Sequence, residues 1–283
     1  MDTQVPTSVL LAVLLAAALH ASWNALTHAL GDQLVGFTLI GAGYTVCAGI
    51  AVLLVPAPAP ASWPFLAASA ALHVVYSLLL MRCYQIGDFS QTYPLSRGTS
   101  PGLVAIAAAT VAGEALAPVQ ALGLLVISVG LACLVFEAGL PRRDQLPAIA
   151  AALLTGVTIA AYTTVDGLGV RQAQTAVGYA GWLFLLYGPV LPVMALAVRG
   201  RKLMDQARPH LAAGLTGGVL SLAAYALVLW AQTRGALGPI AALRETSIVI
   251  GAAIGALAFH ERFGRWRIVS ALLITIGVLL ISL

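Results

Sequence analysis

The amino-acid sequence predicts an all-α polytopic membrane protein: ten transmembrane helices built as two inverted five-helix repeats. Three observations carry this expectation. Only 8% of the 283 residues are charged and 60% are hydrophobic, against about 25% charged in soluble domains. The apolar residues fall into ten runs of roughly 20 residues, the length that crosses a bilayer core. Finally, a shift of 147 positions lays Arg97 on Arg244, Thr99 on Thr246, Ser100 on Ser247 and Glu114 on Glu261.

The runs lie near 8–28, 34–55, 63–85, 92–112, 118–138, 146–168, 176–198, 210–232, 238–260 and 266–283, spans 1 to 10 below. They do not alternate with period two, as strands of an outer-membrane barrel would. The connectors are short and hold most of the Pro, Arg and Asp, leaving no room for a soluble domain. Span 1 has Asp2 as the only charge before it and no clear small-x-small cleavage site after it. It therefore reads as a membrane span rather than a secretory leader. Cys47, Cys83 and Cys133 are scattered through apolar runs without metal spacing and read as small core hydrophobes. No cofactor or metal is expected.

A formal charge of +4 and a pI near 9.2 would suggest nucleic acid in a soluble protein. Here the basic residues have a topological use, and no nucleic-acid partner is expected. Arg142 and Arg143 follow span 5; Arg199, Arg201, Lys202 and Arg208 follow span 7; Arg262, Arg265 and Arg267 follow span 9. These connectors share one membrane face, and the other face has only Arg171 and Arg234. The positive-inside rule makes the basic face cytoplasmic and puts both termini outside.

The repeat divides the chain into residues 1–140 and 141–283. The spacing from arginine to glutamate is 17 residues in both copies, and YSLLL at Tyr76 aligns with YALVL at Tyr225 after two residues of slippage. Five spans is an odd number, so the second copy crosses the membrane in the opposite sense. Inverted repeats recur in secondary transporters, with the substrate site near the midplane between the halves.

Ionisable residues at bilayer depth are costly unless they face a cavity or a partner, which makes them functional candidates. Arg97 lies near the start of span 4 and Arg244 near the start of span 9. Because the repeats are inverted, the two arginines are expected on opposite sides of the midplane, as two gates or two rims of one cavity. A structural tether to a carboxylate or to helix-end carbonyls is an equal alternative. Glu114 and Glu261 read as turn or cap carboxylates, and Asp88 with Gln91 reads as the cap of span 4. Asp166, on the face of Arg244, could pair with it. Ser100, Ser247 and Glu245 join the candidates beside the arginines.

His20, Trp23, Asn24 and Thr27 recur at i, i+3, i+4 and i+7, one face of span 1. Interhelical hydrogen bonding by Asn24 and His20 would explain this stripe; so would a water-filled cavity, which Tyr162 at the matching place on span 6 favours. His20 is then a substrate contact or proton acceptor. His73, Tyr76, Tyr225 and Trp230 would add aromatic walls. Gly251 with Gly255, and Gly214 with Gly217 and Gly218, would allow close helix approach. Pro101, Pro189 and Pro192 mark kinks.

GDFSQTYPLSRGTSP, Ala-Gly-Glu at 112–114, AALRETS and HER at 260–262 resemble EamA-type members of the drug/metabolite transporter superfamily. HASWN at 20–24 is similar to the first helix of many such proteins. The resemblance covers both halves and implies a ten-helix transporter of amino acids, other metabolites, nucleotide sugars or drugs. Ten-helix members are usually drawn with both termini cytoplasmic, whereas these loop charges argue the reverse.

The leading expectation is a secondary transporter, an exporter or permease, in a bacterial inner membrane. It would carry a small polar or amphipathic metabolite by alternating access. Two cavity arginines suit a carboxylate, as in an amino acid, with coupling to protons or to the substrate gradient alone. A monomer or weak homodimer is expected. The alternative is an intramembrane enzyme acting on a lipid or peptide, for which no GxSxG, HExxH or His/Asp cluster is present.

Overall fold

In the computed structural model, which describes residues 5–30, 32–86, 89–135, 143–258 and 264–282, the chain is helical almost throughout. Spans 1 to 6 are single helices: α1 (Thr7–Ala29), α2 (Gln33–Leu54), α3 (Trp63–Ile86), α4 (Phe89–Val111), α5 (Pro118–Val135) and α6 (Leu146–Gln172). Span 7 is broken into α7 (Ala176–Tyr187) and α8 (Val190–Arg199). A short α9 (Arg201–Ala207) leads into α10 (Leu211–Gln232), which is span 8. Span 9 is broken into α11 (Leu237–Arg244) and α12 (Thr246–Ala258), and α13 (Arg265–Ser282) is span 10. Asp88, Glu261, Arg142 and Arg262, together with the side chains of Gln91 and Gly255, lie outside what is described.

Among the described residues, seven helical stretches are long and apolar enough to cross a membrane unaided. The two arginine-bearing spans, α4 and α11–α12, are not among them, and α5 is a shorter apolar helix. Large apolar side chains such as Leu53, Leu54, Val198 and Leu257 are more than three-quarters exposed. Only a lipid solvent makes such an outer surface favourable.

The packing pairs repeat from one half to the other. α3 packs on α6 as α10 packs on α1; α4 packs on α6 as α11 and α12 pack on α1. α5 meets its own counterpart α13, and α2 meets α7. First-half helices thus pack chiefly on second-half helices, which leaves the centre of the bundle to α1, α3, α4, α6, α10 and α11.

The α5–α13 seam depends on absent side chains. A Cβ on Gly277 would sit 2.6 Å from the Gly123 carbonyl oxygen, and one on Gly123 would sit 2.7 Å from that of Gly277. Gly277→Val is expected to cost about 1–3 kcal/mol through overpacking, read as a lower melting temperature of purified protein in detergent. Gly214 and Gly218 likewise let α10 lie against Leu39, Gly43 and Tyr44 of α2. Gly251 does not serve this purpose, since a Cβ there would meet nothing within 4 Å.

The breaks have local causes. Pro189 lacks an N–H and its ring crowds the preceding turn, so α7 stops at Tyr187 and α8 begins at Val190. Pro192 falls in the first turn of α8, where no helix bond is lost, and α4 runs unbroken through Pro94 and Pro101. Gly113, at φ +67, turns the chain out of α4 while Glu114 N donates to the Ala108 carbonyl at 3.1 Å. The Glu114 carboxylate reaches farther than a turn cap would. It accepts from Leu237 N, at the start of α11, at 2.7 Å and pairs with Arg171 at 2.6 Å.

On the opposite face Asp32 caps α2 through Val35 N at 3.2 Å and pairs with Arg199 at 2.6 Å. The hydrogen bond from Arg199 holds the Asp32 carboxyl below its ordinary pKa. A depressed carboxylate stabilises the fold above its unfolded pKa of about 4 and loses that contribution as pH falls through the lower folded value. Both side chains are about a third exposed or more, so Asp32→Asn should cost no more than about 1 kcal/mol at neutral pH. A pH series of thermal melts should show the two proteins converging in acid.

Candidate functional site

α1, α2, α3, α4, α6, α7, α8, α10 and α11 line one central cavity of about 120 Å³. At about 10–15 Å³ per water on this measure, it admits roughly ten water-sized groups, the size of a small metabolite. α3, α6, α7 and α10 supply aromatic walls. The His73 ring lies 4.0 Å from Tyr162 and 4.6 Å from Tyr187, centroid to centroid, with Tyr225 edge-on at 5.7 Å. Tyr76 lies edge-on to Tyr162 at 5.5 Å. Tyr44, Phe184 and Trp23 complete the lining. His20 stands edge-on to Trp23 at 5.0 Å.

Both arginines line this same cavity, the arrangement of two rims of one cavity. The helix geometry explains why. Arg97 lies eight residues into α4 from one face and Arg244 seven into α11 from the other, about 12 Å and 10 Å at 1.5 Å per residue. Entering from opposite faces of a core about 30 Å thick, both come close to the midplane.

Their surroundings differ. Arg97 is 3% exposed, and its Nε donates to Glu245 Oε2 at 2.9 Å. Glu245 occupies the break between α11 and α12, where its N–H bonds Ala242 O at 3.0 Å and its carbonyl receives Ile248 N at 3.0 Å. The pair ties span 4 to span 9 and neutralises one cation. Arg244, 7% exposed, makes no ion pair or hydrogen bond among the described residues. Its guanidinium carbon lies 5.8 Å over the Tyr225 ring, and the C-terminal end of α11 adds a favourable dipole. The Trp23 indole N–H is also buried without a partner among the described residues.

Asp166 does not pair with Arg244. Fully buried on α6, it accepts from Tyr179 Oη at 3.1 Å and from Tyr225 Oη in a short hydrogen bond. It therefore stands one side chain behind the wall, below the tyrosine that Arg244 covers.

Of the sequence candidates, His20, Trp23, Tyr76, Arg97, Tyr162, Tyr225 and Arg244 line the cavity. Glu245 and Asp166 bind lining residues from behind. The remaining four lie elsewhere. Asn24 Nδ2 donates to His20 O at 2.8 Å and Thr27 to Trp23 O at 3.0 Å, so half of the span 1 stripe is satisfied on its own helix. Trp230 packs beside the α1–α13 core and carries Arg234 over its ring at 4.6 Å. Ser100 and Ser247 are buried away from the cavity. The candidate set lacks Tyr44, Phe184 and Tyr187, whose apolar spans hold no polar stripe. Among the described residues no group of three His, Cys, Asp or Glu side chains converges to hold a metal.

Residues 146–283 match the EamA-like transporter family. No curated protein matches the sequence. A solved crystal structure superposes over 96% of this chain and 98% of its own, with TM-score 0.71 and 17% identity, a likeness of fold alone. The second five spans of this integral multi-pass membrane protein thus form a domain that matches the EamA-like transporter family, consistent with an EamA-type member of the drug/metabolite transporter superfamily.

Proposed function

We propose that the protein is a secondary permease that carries a small amphipathic metabolite with an anionic group by alternating access through the central cavity. The observation that carries this reading is Arg244: a guanidinium at bilayer depth, facing a cavity without a carboxylate partner among the described residues. A buried unpaired cation is costly, and a substrate carboxylate would remove that cost through a charge-assisted, bidentate contact. Trp23 Nε1 offers a second donor, and the stacked His73–Tyr162–Tyr187 wall suits a planar or apolar body.

In the same reading residues 1–140 and 141–283 form the two inverted repeats that rock against one another, supported by the packing pairs that recur between the halves. The loop charges favour a cytoplasmic side for the connectors after spans 5, 7 and 9.

Side-resolved cysteine labelling tests the cavity's role. Ala224→Cys, in a background without the three native cysteines, is expected to react with an impermeant maleimide in both right-side-out and inverted vesicles. Reaction from one side alone under all conditions would contradict alternating access.

A further inference from the structure

We propose that Asp166 is the proton-carrying group of this site, so that the anion bound at Arg244 crosses together with a proton on the Asp166 carboxylate. The inference rests on the anion-transport reading above and adds its coupling.

The argument is one of charge count. Four charged side chains meet at the centre: Arg97 with Glu245, bonded at 2.9 Å, and Arg244 with Asp166, bridged by Tyr225. In the empty cavity the four sum to zero. The Tyr225 ring lies under the Arg244 guanidinium while its hydroxyl donates to Asp166, and Tyr179 donates to the other carboxylate oxygen. When a substrate carboxylate takes Arg244, the set carries one negative charge too many among side chains that are all buried. A buried charge without a counter-charge is disfavoured; a proton on Asp166 restores neutrality. Tyr225 touches Asp166, Arg244 and the cavity at once, so it can report occupancy to the carboxylate and relay the proton.

The groups around Asp166 leave it as the acceptor. Asp166 is bonded by Tyr179 of α7, Tyr225 of α10 and Ser69 of α3, with Arg244 of α11 and Tyr187 of α7 in electrostatic reach. The cavity it backs adds His73 of α3, with Nδ1 held at Ser69 O at 3.0 Å, Tyr76 of α3, Tyr162 of α6 and Arg97 of α4, which Glu245 pairs from behind. Glu245 is occupied by Arg97. A proton on His73 or on His20 of α1 would give the same sum, but as a third cation beside two arginines. On Asp166, joined to Arg244 through Tyr225, the proton removes the carboxylate charge that the substrate's own carboxylate replaces, and no ion pair breaks.

The test is calorimetric binding of benzoate, phenylpyruvate and lactate to the full purified protein, in buffers of different ionisation enthalpy at neutral pH. Wild-type protein is expected to take up about one proton per anion bound, and Asp166→Asn to bind while uptake falls to near zero. Undiminished uptake by Asp166→Asn, or binding to wild type without uptake, would overturn the coupling and leave the anion site standing. Failure of all three anions to bind would overturn both. Infrared difference spectra of wild type labelled with carbon-13 aspartate give a readout independent of the variant's folding. A protonated aspartic-acid carbonyl band is expected on anion binding, and its absence would refute the assignment.

Discussion

Arg244→Gln is expected to lower binding and transport of a carboxylate substrate by about 30-fold or more, the equivalent of roughly 2 kcal/mol for a lost buried charge contact. The same substitution should leave the melting temperature unchanged or raise it. Arg244 makes no ion pair or hydrogen bond among the described residues, so the variant removes a buried charge and orphans nothing. This opposition of sign separates a substrate anchor from a structural tether, because loss of a tether would lower activity and stability together. Arg244→Lys should fall between, since an ammonium keeps the charge but not the planar fork. Binding isotherms and thermal melts of the purified variants in detergent check all three expectations.

Glu245→Ala has the opposite signature. Its loss takes the Glu245 carboxylate from Arg97, 3% exposed, and breaking a buried pair from one side costs about 3–5 kcal/mol. Such a loss threatens folding itself, so the variant should melt far below wild type or accumulate poorly. Replacing both partners with apolar residues, Arg97→Met with Glu245→Leu, should recover most of that stability, because a well-packed apolar pair is often as stable as a buried ion pair. Thermal melts of the single and double variants decide it. A double variant as unstable as the single would mean that the pair is not what holds Arg97.

Much of this fold was legible in the sequence because lipid imposes a simple rule: every span is a helix of bilayer length. Span ends fell within a few residues of the helix ends wherever a loop residue such as Asp32 or Gly113 stops the helix. The break at Glu245 was not legible. No proline or glycine marks it, and its carboxylate is fixed by Arg97, 148 positions away in sequence. The repeat itself held the clue, since the 147-position shift aligns Glu245 with Gly98, the one ionic difference within an otherwise matching RxTS segment. Depth alone left two gates and two rims of one cavity open, because counting residues from each face does not show where a long side chain ends; both guanidinium groups line one cavity. Helical periodicity identified the span 1 stripe but could not tell His20 and Trp23, which face the cavity, from Asn24 and Thr27, which bond back to their own helix. Tyr44, Phe184 and Tyr187 carried no signal, for an aromatic in an apolar run looks the same whether it packs against lipid or lines a site.

Transport by purified protein in liposomes tests the central claim most directly. Counterflow of radiolabelled benzoate, phenylpyruvate or lactate should be saturable, absent from protein-free liposomes, and abolished by Arg244→Gln while the variant remains folded. No protein-dependent flux of any of these anions, or flux that Arg244→Gln leaves intact, would contradict an anion permease built around Arg244.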